Sequence, residues 1–490
     1  MFSPHSKVFM TTWQFDRSKF KNYPHFDAPI AAKKVHLLVS DTERIASNAF
    51  YPFLRYYDEW QPYRTPDGQD KPEKKSRPIS YCARRDAYIF MYYRHVISQK
   101  YEDRLKSLGI SSAPIAYRKI PKGGATGPGK CNIDFAKDAF DYIKNTGDCV
   151  AVALDIKGYF DHLDHQRIRQ IWADLLNVKT LPKDHAAVFK AITNYSYVEV
   201  LDAYKRLGYF GPKKSSGSGT IDGYLQLRSD IPKQLCSPSD FREKICGRGS
   251  GYSNLVQRHR KDYGIPQGSP ISDLIANFYL LYFDVEMAKY AKTLGGTYLR
   301  YSDDILFLVP SGTGRAQQIQ NYVAKEIRSH GRKLEIKSKK TSVVEFRRTG
   351  SRLIYAHQFG DQGANGFEYL GFRFDGSEVF IKDTTISRYY RKISLATRAE
   401  AKYLVDKYPG LDSEALMRKF NHTLFLQRWG RVKEFKAVKN DFRKWTFRTY
   451  VERCASTFGN SDTFFHQIKN TKKLVRSRLK TRLQKILNET

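Results

Sequence analysis

Two adjacent aspartates at the tip of an apolar hairpin constrain this chain more than any other feature of its sequence. They lie in the run Tyr301-Ser302-Asp303-Asp304, which leads into the apolar stretch Ile305 to Val309. The flanks have the aromatic and β-branched composition of two short strands joined by a tight turn at Ser302-Asp303. Neighbouring carboxylates repel each other, and a strong cation between them reverses that cost. The pattern predicts a metal site, although an ordinary polar turn has the same composition.

A second acidic strand end strengthens the metal interpretation. Val150 to Leu154 is a continuous apolar run typical of a buried strand, and it ends at Asp155. One carboxylate from a strand and two from a hairpin form the oxygen-rich ligand set that two magnesium ions need for phosphoryl transfer. The polar segment that follows (Asp161, His162, Asp164 and His165) lacks zinc-ligand spacing and is interpreted as a helix start.

The third element is a loop rich in glycine and proline that runs from Gly264 to Pro270. Such a loop lets the backbone approach a ligand closely. Residues Asp273 to Leu280, which follow, have the length and apolar character of a buried helix. Alone the Pro-Gln-Gly sequence is a weak signal, but its order and spacing relative to the two acidic elements make it a strong one.

Together these segments closely resemble three core palm motifs of reverse transcriptases. The matching segments are Asp155 to Asp161, Gly264 to Pro270 and Tyr301 to Asp304, with further matches in the family's order at Lys75 to Ile79, Lys333 to Thr341 and Tyr369 to Phe372. The resemblance spans residues 45 to 385 and implies an α+β right-hand polymerase. Its fingers and palm contain an antiparallel sheet flanked by helices, and an α-helical thumb follows.

The resemblance also implies an activity and the residues that perform it. The chain is expected to be an RNA-directed DNA polymerase, a nucleotidyltransferase that adds deoxynucleotides to a primer 3′-hydroxyl. Asp155 and Asp303 are the expected principal metal ligands, Asp304 supports the catalytic site, and Ile156 joins the metal ligands. The implied cofactor is a pair of Mg²⁺ ions, for which Mn²⁺ can substitute.

Substrate contacts follow from the same matches. The residues expected to bind the nucleotide are Lys75, Arg77, Tyr159, Phe160, Gln267, Gly268 and Lys340. Those expected to support primer and template are Tyr301, Ser302 and Gly371. Phe160 occupies the position of the aromatic ring that excludes a ribose 2′-hydroxyl, although a core phenylalanine at a strand end would have the same spacing.

Composition narrows the class of partner. The chain has 490 residues, 84 basic and 50 acidic, for a net charge of +34, and it is 41% hydrophobic. It can therefore bury a core, and its charge suits a polyanion whose counterions are released on binding. The longest apolar run, Leu274 to Phe283, is far below the roughly 20 residues that span a bilayer. Six scattered cysteines and the absence of a signal-peptide pattern indicate a reduced, cytoplasmic protein without a membrane partner.

Charge and periodicity also indicate how the chain is organised. We expect an N-terminal extension over residues 1–44, fingers and palm over 45–385 with an insertion at about 200–262, and a basic helical thumb over 386–490. Asp41 to Trp60 is expected to be helical. Residues 386–490 hold 25 basic and 9 acidic residues, with apolar positions at helical intervals from Ile468 to Ile486. They are expected to contact RNA, although a solvated basic helix would show the same pattern.

Two further segments indicate a branch of the family. Ala116 to Lys119 and Gly129 to Asn132 resemble the bacterial abortive-infection and defence-associated reverse transcriptases. The resemblance implies antiviral defence against phage, with a structured non-coding RNA as template, a DNA primer and product, deoxynucleoside triphosphates and possible homo-oligomerisation.

Three alternatives stay open. A palm enzyme that makes RNA would keep the same carboxylates, and Phe160 argues against it. Synthesis without a template or from a protein primer would use the same palm. A non-catalytic, maturase-like RNA-binding protein would keep the palm only as a scaffold, and intact Asp155, Asp303 and Asp304 argue against that decay.

Overall fold

The computed structural model describes most of the chain. It covers residues 13–60, 74–124, 127–214, 219–249, 251–360, 365–430 and 446–489. Most of the charged loop before Lys75, the centre of the turn at 213–219, and the aromatic side chains of Phe442 and Trp445 lie outside these residues, as does the side chain of Lys75.

The first part of the chain forms helices around a two-stranded ribbon. Its elements are α1 (Ala32–Ser40), α2 (Thr42–Ala46), β1 (Phe53–Trp60), β2 (Lys75–Tyr81) and α3 (Arg84–Ser107). The helix expected over Asp41 to Trp60 is therefore wrong in its second half. That half pairs with β2 along its whole length, since its Phe, Tyr and Trp residues favour a strand once a partner strand is available.

The palm begins with a helix and the strand that carries Asp155. Its elements are α4 (Asn132–Thr146), β3 (Cys149–Asp155), α5 (His165–Leu175) and α6 (Lys183–Thr193). A short 3₁₀ helix, Tyr159–Asp161, turns the chain directly after β3. Gly158 enters this turn with a φ of +55°, a left-handed conformation that glycine adopts without steric cost.

The inserted segment builds a small apolar cluster of its own. Its elements are β4 (Ser196–Glu199), α7 (Val200–Arg206), β5 (Phe210–Lys214), β6 (Thr220–Tyr224), α8 (Pro238–Asp240) and β7 (Gln257–Arg258). Strand β4 joins the fingers parallel to β1, giving a sheet in the order β2-β1-β4-β7. Phe26, Val198 and Ile245 are buried in this cluster, which therefore ties the N-terminal residues to the insertion.

The second half of the palm completes a five-stranded sheet. Its elements are α9 (Ser272–Tyr279), α10 (Leu281–Thr293), β8 (Thr297–Tyr301), β9 (Asp304–Pro310), α11 (Arg315–Ser329), β10 (Ser342–Thr349) and β11 (Arg352–Phe359). The strand order is β11-β10-β3-β9-β8, and every neighbouring pair is antiparallel.

Both faces of this sheet are buried, which explains why its central strands read as unbroken apolar runs. Val152 and Phe307 point into a core shared with α3, α5 and α9. Ala151 and Leu308 point the opposite way, into a core shared with α4 and the C-terminal helices. The charged ends of β3 and β9 are therefore held between two cores.

The remaining chain is a small sheet followed by helices. Its elements are β12 (Phe367–Tyr369), β13 (Phe372–Phe374), β14 (Val379–Ile381), α12 (Asp383–Lys407), α13 (Ser413–Lys419), α14 (His422–Trp429), α15 (Phe447–Phe458), α16 (Ser461–Ile468) and α17 (Thr471–Glu489). Val475, Leu479 and Leu483 are the buried apolar face of α17. The predicted α+β class, with an antiparallel sheet flanked by helices and a helical C-terminal region, is confirmed.

Two compositional expectations can be compared with the structure. All six cysteines are unpaired. Among the residues that the structure describes, no helix has both the length and the apolar character needed to cross a bilayer.

Candidate active site

The two acidic strand ends lie side by side at one end of the palm sheet. Asp155, the last residue of β3, pairs directly with Asp304, the first residue of β9. Asp304 in turn pairs with Tyr301 of β8, so Ser302 and Asp303 form a two-residue hairpin turn. Directly opposed residues of an antiparallel pair have Cα atoms about 4.5–5.5 Å apart. Three carboxylates that are distant in sequence are thereby brought to one edge.

The hairpin turn requires an unusual backbone conformation. Ser302 has a φ of +62°, and it is one of four non-glycine residues with positive φ in the described chain. Positive φ at the first central position is the geometry of a type II′ turn, which normally takes glycine there. Ser302 is 3% exposed, so the surrounding protein holds it in place.

The support for that turn is a buried ion pair beneath it. Arg300 and Asp284 are both fully buried, and the guanidinium contacts both carboxylate oxygens at 2.6 and 2.7 Å. Arg300 also donates a hydrogen bond to the Ser302 carbonyl at 3.0 Å. The Tyr298 hydroxyl donates to the same carboxylate at 2.7 Å. The pair therefore fixes the carbonyl that immediately precedes Asp303.

The electrostatics of the edge favour bound positive charge. Partial burial in the cleft, followed by the charges of Asp303 and Asp155, raises the pKa of Asp304 to about 7. Burial, together with the Asp155 charge, also raises the pKa of Asp303. Carboxylates that raise each other's pKa are each stabilised in the charged form by a nearby cation.

One cation already lies at the cluster. The Lys340 ammonium is 2.5 Å from a carboxylate oxygen of Asp155 and lowers the pKa of Asp303 and Asp304 in opposition to burial. Within the described parts of the chain, no three His, Cys, Asp or Glu side chains are grouped so as to hold a metal ion as they stand. The oxygen donors fit a hard divalent cation. A cation bound at Asp155 would displace the Lys340 ammonium from that carboxylate.

Two of the segments predicted to contact the nucleotide lie against each other. Arg77 of β2 is exposed, and its charge lowers the pKa of Asp303, so the two side chains lie within electrostatic range of each other. The Gln267 carbonyl accepts a hydrogen bond from the Ser80 amide at 2.7 Å. Gly268, with a φ of +110°, lies so close to β2 that a Cβ would be 2.8 Å from the Ser80 carbonyl. The Pro-Gln-Gly loop and the fingers strand are therefore in direct backbone contact.

Phe160 and Tyr159 have different environments. Phe160 is half-buried after β3, and its carbonyl accepts a hydrogen bond from the Ile265 amide at 2.9 Å. Tyr159 is 2% exposed, and its hydroxyl donates to the Ala276 carbonyl of α9. Its side chain therefore packs in the core instead of lining a nucleotide pocket, because that internal acceptor satisfies the phenol. Ile156 is also buried, and its amide bonds the Asp303 carbonyl at 3.0 Å.

The segment expected to support the primer forms the turn between β12 and β13. Tyr369 pairs with Phe372, so the turn residues are Leu370 and Gly371. Their φ values are +47° and +90°, the double positive pattern of a type I′ turn. Next to it, Lys382 pairs with Glu368 at 2.6 Å. Glu368, Lys382 and Gly371 line a cleft of about 310 Å³ with Asp155 and Asp304.

The sequence interpretation assigned no function to Tyr117, which the structure places over the catalytic turn. Its hydroxyl is 3.4 Å from the Ser302 hydroxyl, and its ring centroid is 6.2 Å from that of Tyr301. It has a φ of +58°, and its carbonyl accepts a hydrogen bond from Arg94 at 3.3 Å. The segment Ala116 to Lys119 was matched to a family branch, but the contact of Tyr117 with Ser302 was not predicted, since it depends on the path of the loop after α3.

Removing one partner of the buried ion pair tests how strongly it supports the turn. We expect Asp284→Ala to lower the free energy of unfolding by about 3–5 kcal/mol, because the Arg300 charge is left buried and uncompensated. Urea unfolding provides the measurement. Glu286→Ala on the same helix is the control, since its surface pair with Lys289 predicts a change within about 0.5 kcal/mol. Equal losses in the two variants would contradict the assignment.

The raised pKa of Asp304 predicts a pH-dependent stability. A carboxyl whose pKa is higher in the folded than in the unfolded state destabilises the fold as the pH rises between about 4 and about 7. Without divalent cations, Asp304→Asn should therefore melt higher than the parent at pH 8, and the gain should shrink towards pH 5.

Adding Mn²⁺ at pH 8 should reverse the order, since the variant loses a metal ligand. Asp202→Asn, an exposed change on α7, is the matched control and should follow the parent throughout. A pH-independent difference between Asp304→Asn and the parent would count against the proposed charge cluster.

Comparison with known proteins agrees with this geometry. Residues 233–374 match the family model described as reverse transcriptase (RNA-dependent DNA polymerase). The match includes the Gly264 to Pro270 loop and the Asp303-Asp304 hairpin, and it begins after Asp155. Proteins of this family are nucleotidyltransferases, and their reverse transcriptase domains use divalent metal ions.

Solved structures with a similar course of the chain include two yeast telomerases. Apo telomerase from Candida tropicalis is 12% identical, with a TM-score of 0.38 over 86% of this chain and 61% of that one. Telomerase from Candida albicans in complex with a telomeric RNA fragment is 11% identical, with a TM-score of 0.35 over 91% and 65%. This chain thus spans less than two thirds of either length, and likenesses this remote carry no inference about substrate. Residues 233–374, which include the Asp303-Asp304 hairpin, are therefore similar to the reverse transcriptase family over that segment.

Proposed function

We propose that the chain is an RNA-directed DNA polymerase that extends a primer 3′-hydroxyl with deoxynucleotides. The observation that carries this proposal is the direct pairing of Asp155 with Asp304, with Asp303 in the adjoining turn. Polymerisation needs carboxylates at one point beside an open cleft, and this edge of the sheet supplies both.

The carboxylates define where the chemistry takes place. Asp155, Asp303 and Asp304 would hold two divalent cations, Mg²⁺ or Mn²⁺, which supply charge neutralisation at the attacking and leaving oxygens. Asp304 sits at the strand end and Asp303 in a turn fixed by Arg300, so the backbone positions of these two ligands are set before substrate arrives. Such preorganisation lowers the cost of reorganising charge during reaction.

Cationic and backbone groups around the carboxylates suit a triphosphate. Arg77 lies within electrostatic range of Asp303, and its planar guanidinium would donate to two phosphate oxygens. Lys340, once displaced from Asp155, remains beside the same site and can pair with the incoming phosphates. The backbone of Gln267 and Gly268 would line the base and template side of the pocket, beside the β2 strand that it contacts.

The finer assignments depend on sequence resemblance. An RNA template that is a structured non-coding RNA, a DNA primer and a role in phage defence follow from the segments Ala116 to Lys119 and Gly129 to Asn132. Purification from cells expressing the chain, followed by sequencing of bound RNA and of newly made DNA, would test all three. Recovery of random cellular RNA without DNA would reject them.

One observation favours a second mode of initiation, in which a tyrosine is the primer. The Tyr117 hydroxyl lies 3.4 Å from the Ser302 hydroxyl beside the carboxylates. In that reaction the phenol oxygen bonds the α-phosphorus, the bond to pyrophosphate breaks, and the phenol proton passes to solvent. A DNA–protein adduct that disappears in Tyr117→Phe, with extension of an added primer retained, would support it. Absence of any adduct in the parent would exclude it.

Loss of a carboxylate should abolish synthesis without unfolding the protein. We expect Asp303→Asn to lower the extension rate of a primed RNA template by about 10²–10³-fold or more, because an electrostatic stabiliser of the transition state is removed. Single-turnover extension and a circular dichroism spectrum are the measurements. Asp202→Asn is again the control and should retain the parent's rate. Retained activity in Asp303→Asn combined with Asp304→Asn would defeat the proposal.

Phe160 should set the choice of sugar. Phe160→Ala opens space beneath the nucleotide C2′ position, so ribonucleotide incorporation should rise relative to deoxynucleotide incorporation. The ratio of kcat/KM for matched nucleotide pairs measures the change. Tyr159→Phe is the neighbouring control, since it removes a hydroxyl that bonds within the core, and it should leave the ratio unchanged. An unaltered ratio in Phe160→Ala would indicate a purely structural ring.

A further inference from the structure

A second large cavity on the palm shares no lining residue with the catalytic cleft. It has a volume of about 1290 Å³ and is enclosed by the end of α4, the β10–β11 hairpin and the turn after β13. We call it the basic groove, because four of its lining residues are Lys144, Arg348, Arg352 and Arg373. None of these residues belongs to the motifs discussed above.

Close contacts to two backbone carbonyls hold the walls of the basic groove together. Gly376, in the turn after β13, has a φ of +93°, and a Cβ there would lie 2.1 Å from the Leu353 carbonyl of β11. Only glycine permits this approach of two backbones. On the opposite wall, Arg348 donates to the Lys144 carbonyl at 2.6 Å, which fixes the hairpin against the end of α4. The groove is therefore a formed feature of the fold.

The cations of the groove are held in position by neutral partners. The Lys144 ammonium lies 5.2 Å from the Phe374 ring centroid, and the Arg373 guanidinium lies 4.2 Å from that of Phe380. Arg373 also donates to the Asn365 carbonyl at 2.6 Å. Contacts with aromatic rings and carbonyls orient a charge without neutralising it.

In the part of the chain that the structure describes, no carboxylate pairs with the four cations of the basic groove. None of the four cations forms an ion pair with a carboxylate there, and the Arg373 Nε is buried without a hydrogen-bond partner. Asp375 is the one acidic residue among the described lining residues. Its Oδ1 accepts hydrogen bonds from the Ser377 and Glu378 amides at 2.9 and 2.8 Å, so it stabilises its own turn. The groove therefore presents a net positive charge to solvent.

We propose that the basic groove binds the phosphate backbone of RNA as a second contact outside the catalytic cleft. The inference rests on the proposed function for the identity of the polymer. The groove is open to solvent and has a volume of about 1290 Å³, so it can accommodate a segment of an extended chain. A second copy of the chain is a poor occupant, since each copy carries a net charge of +34.

The small sheet links the groove to the catalytic cleft. The Gly371 turn at one end of β13 lines the cleft, and the Gly376 turn at the other end lines the groove. Four residues lie between Gly371 and Gly376, so the two turns are at most about 16 Å apart at roughly 3.3 Å per residue. One RNA strand leaving the cleft along this sheet can therefore reach Arg373 and then Arg352. The groove would hold the RNA while the cleft copies it.

The test compares two triple variants of the full chain. The groove variant is Lys144→Gln, Arg348→Gln and Arg352→Gln, all exposed residues. Because Arg348→Gln removes the hydrogen bond to the Lys144 carbonyl, the variant's circular dichroism spectrum and melting temperature must match the parent's before binding is compared. The matched control is Lys179→Gln, Lys183→Gln and Lys292→Gln, which removes the same charge from exposed sites outside the groove. Binding of a fluorescent single-stranded RNA is measured by anisotropy over a range of salt concentrations, without nucleotides or divalent cations.

The salt dependence separates specific from general attraction. Each phosphate contact to a single strand contributes about 0.7 to the slope of log affinity against log salt, so the groove variant should lose about 2 from that slope. The control should lose much less. Equal losses in both variants, or competition by polyglutamate as effective as that by RNA, would overturn the proposal.

Extension of a short primed template distinguishes this inference from the proposed function. The groove variant should extend a short template, which ends before the groove, at the parent's rate. Its KM for a long RNA template should rise. If the parent binds RNA through the groove but never extends a primer, the groove inference stands and the polymerase proposal fails. If extension is normal and binding is insensitive to the groove, the reverse holds.

Discussion

The ion pair between Arg300 and Asp284 is the interaction on which the catalytic edge depends. Both side chains are fully buried, and their separation from water is compensated by the Tyr298 hydroxyl and the Asn277 carbonyl. Arg300 donates a hydrogen bond to the Ser302 carbonyl. The side-chain amide of Asn277 donates to the Ala116 carbonyl at 2.7 Å. A single buried cluster therefore sets both the turn that carries Asp303 and the loop that carries Tyr117. Burying two charges costs desolvation energy that apolar residues of similar size would avoid. We therefore interpret the pair as a positioning element for the turn.

The sheet that carries the site is stabilised from both sides. Residues of β3 and β9 alternate between two cores, so shifting either strand by one residue would place every apolar side chain in the wrong core. The register that sets Asp155 opposite Asp304 is thus enforced along the whole length of the strands. Carboxylates that repel one another can be held together here because the apolar residues behind them determine where the strands lie.

The parts of this arrangement that are local in sequence could be predicted. A continuous apolar run ending in Asp155 and a hairpin with Asp303 and Asp304 at its tip are recognisable without a structure, and so is the α9 helix after the Pro-Gln-Gly loop. Features that depend on distant partners could not. Phe53 to Trp60 becomes a strand because β2 and β4 are available to pair with it. Lys340 pairs with Asp155, which is 185 residues away in the sequence, and the Tyr159 hydroxyl donates to a carbonyl of α9. No local sequence pattern predicts either contact.

The close contact between Gly268 and Ser80 limits how the β1–β2 ribbon can move relative to the loop that carries Gly268. The Ser80 amide donates a hydrogen bond to the Gln267 carbonyl, and the opposite backbone leaves no room for a side chain at residue 268. The end of β2 near Ser80 is therefore fixed against this loop. Any movement of the ribbon relative to the loop must then occur beyond Ser80, towards Arg77.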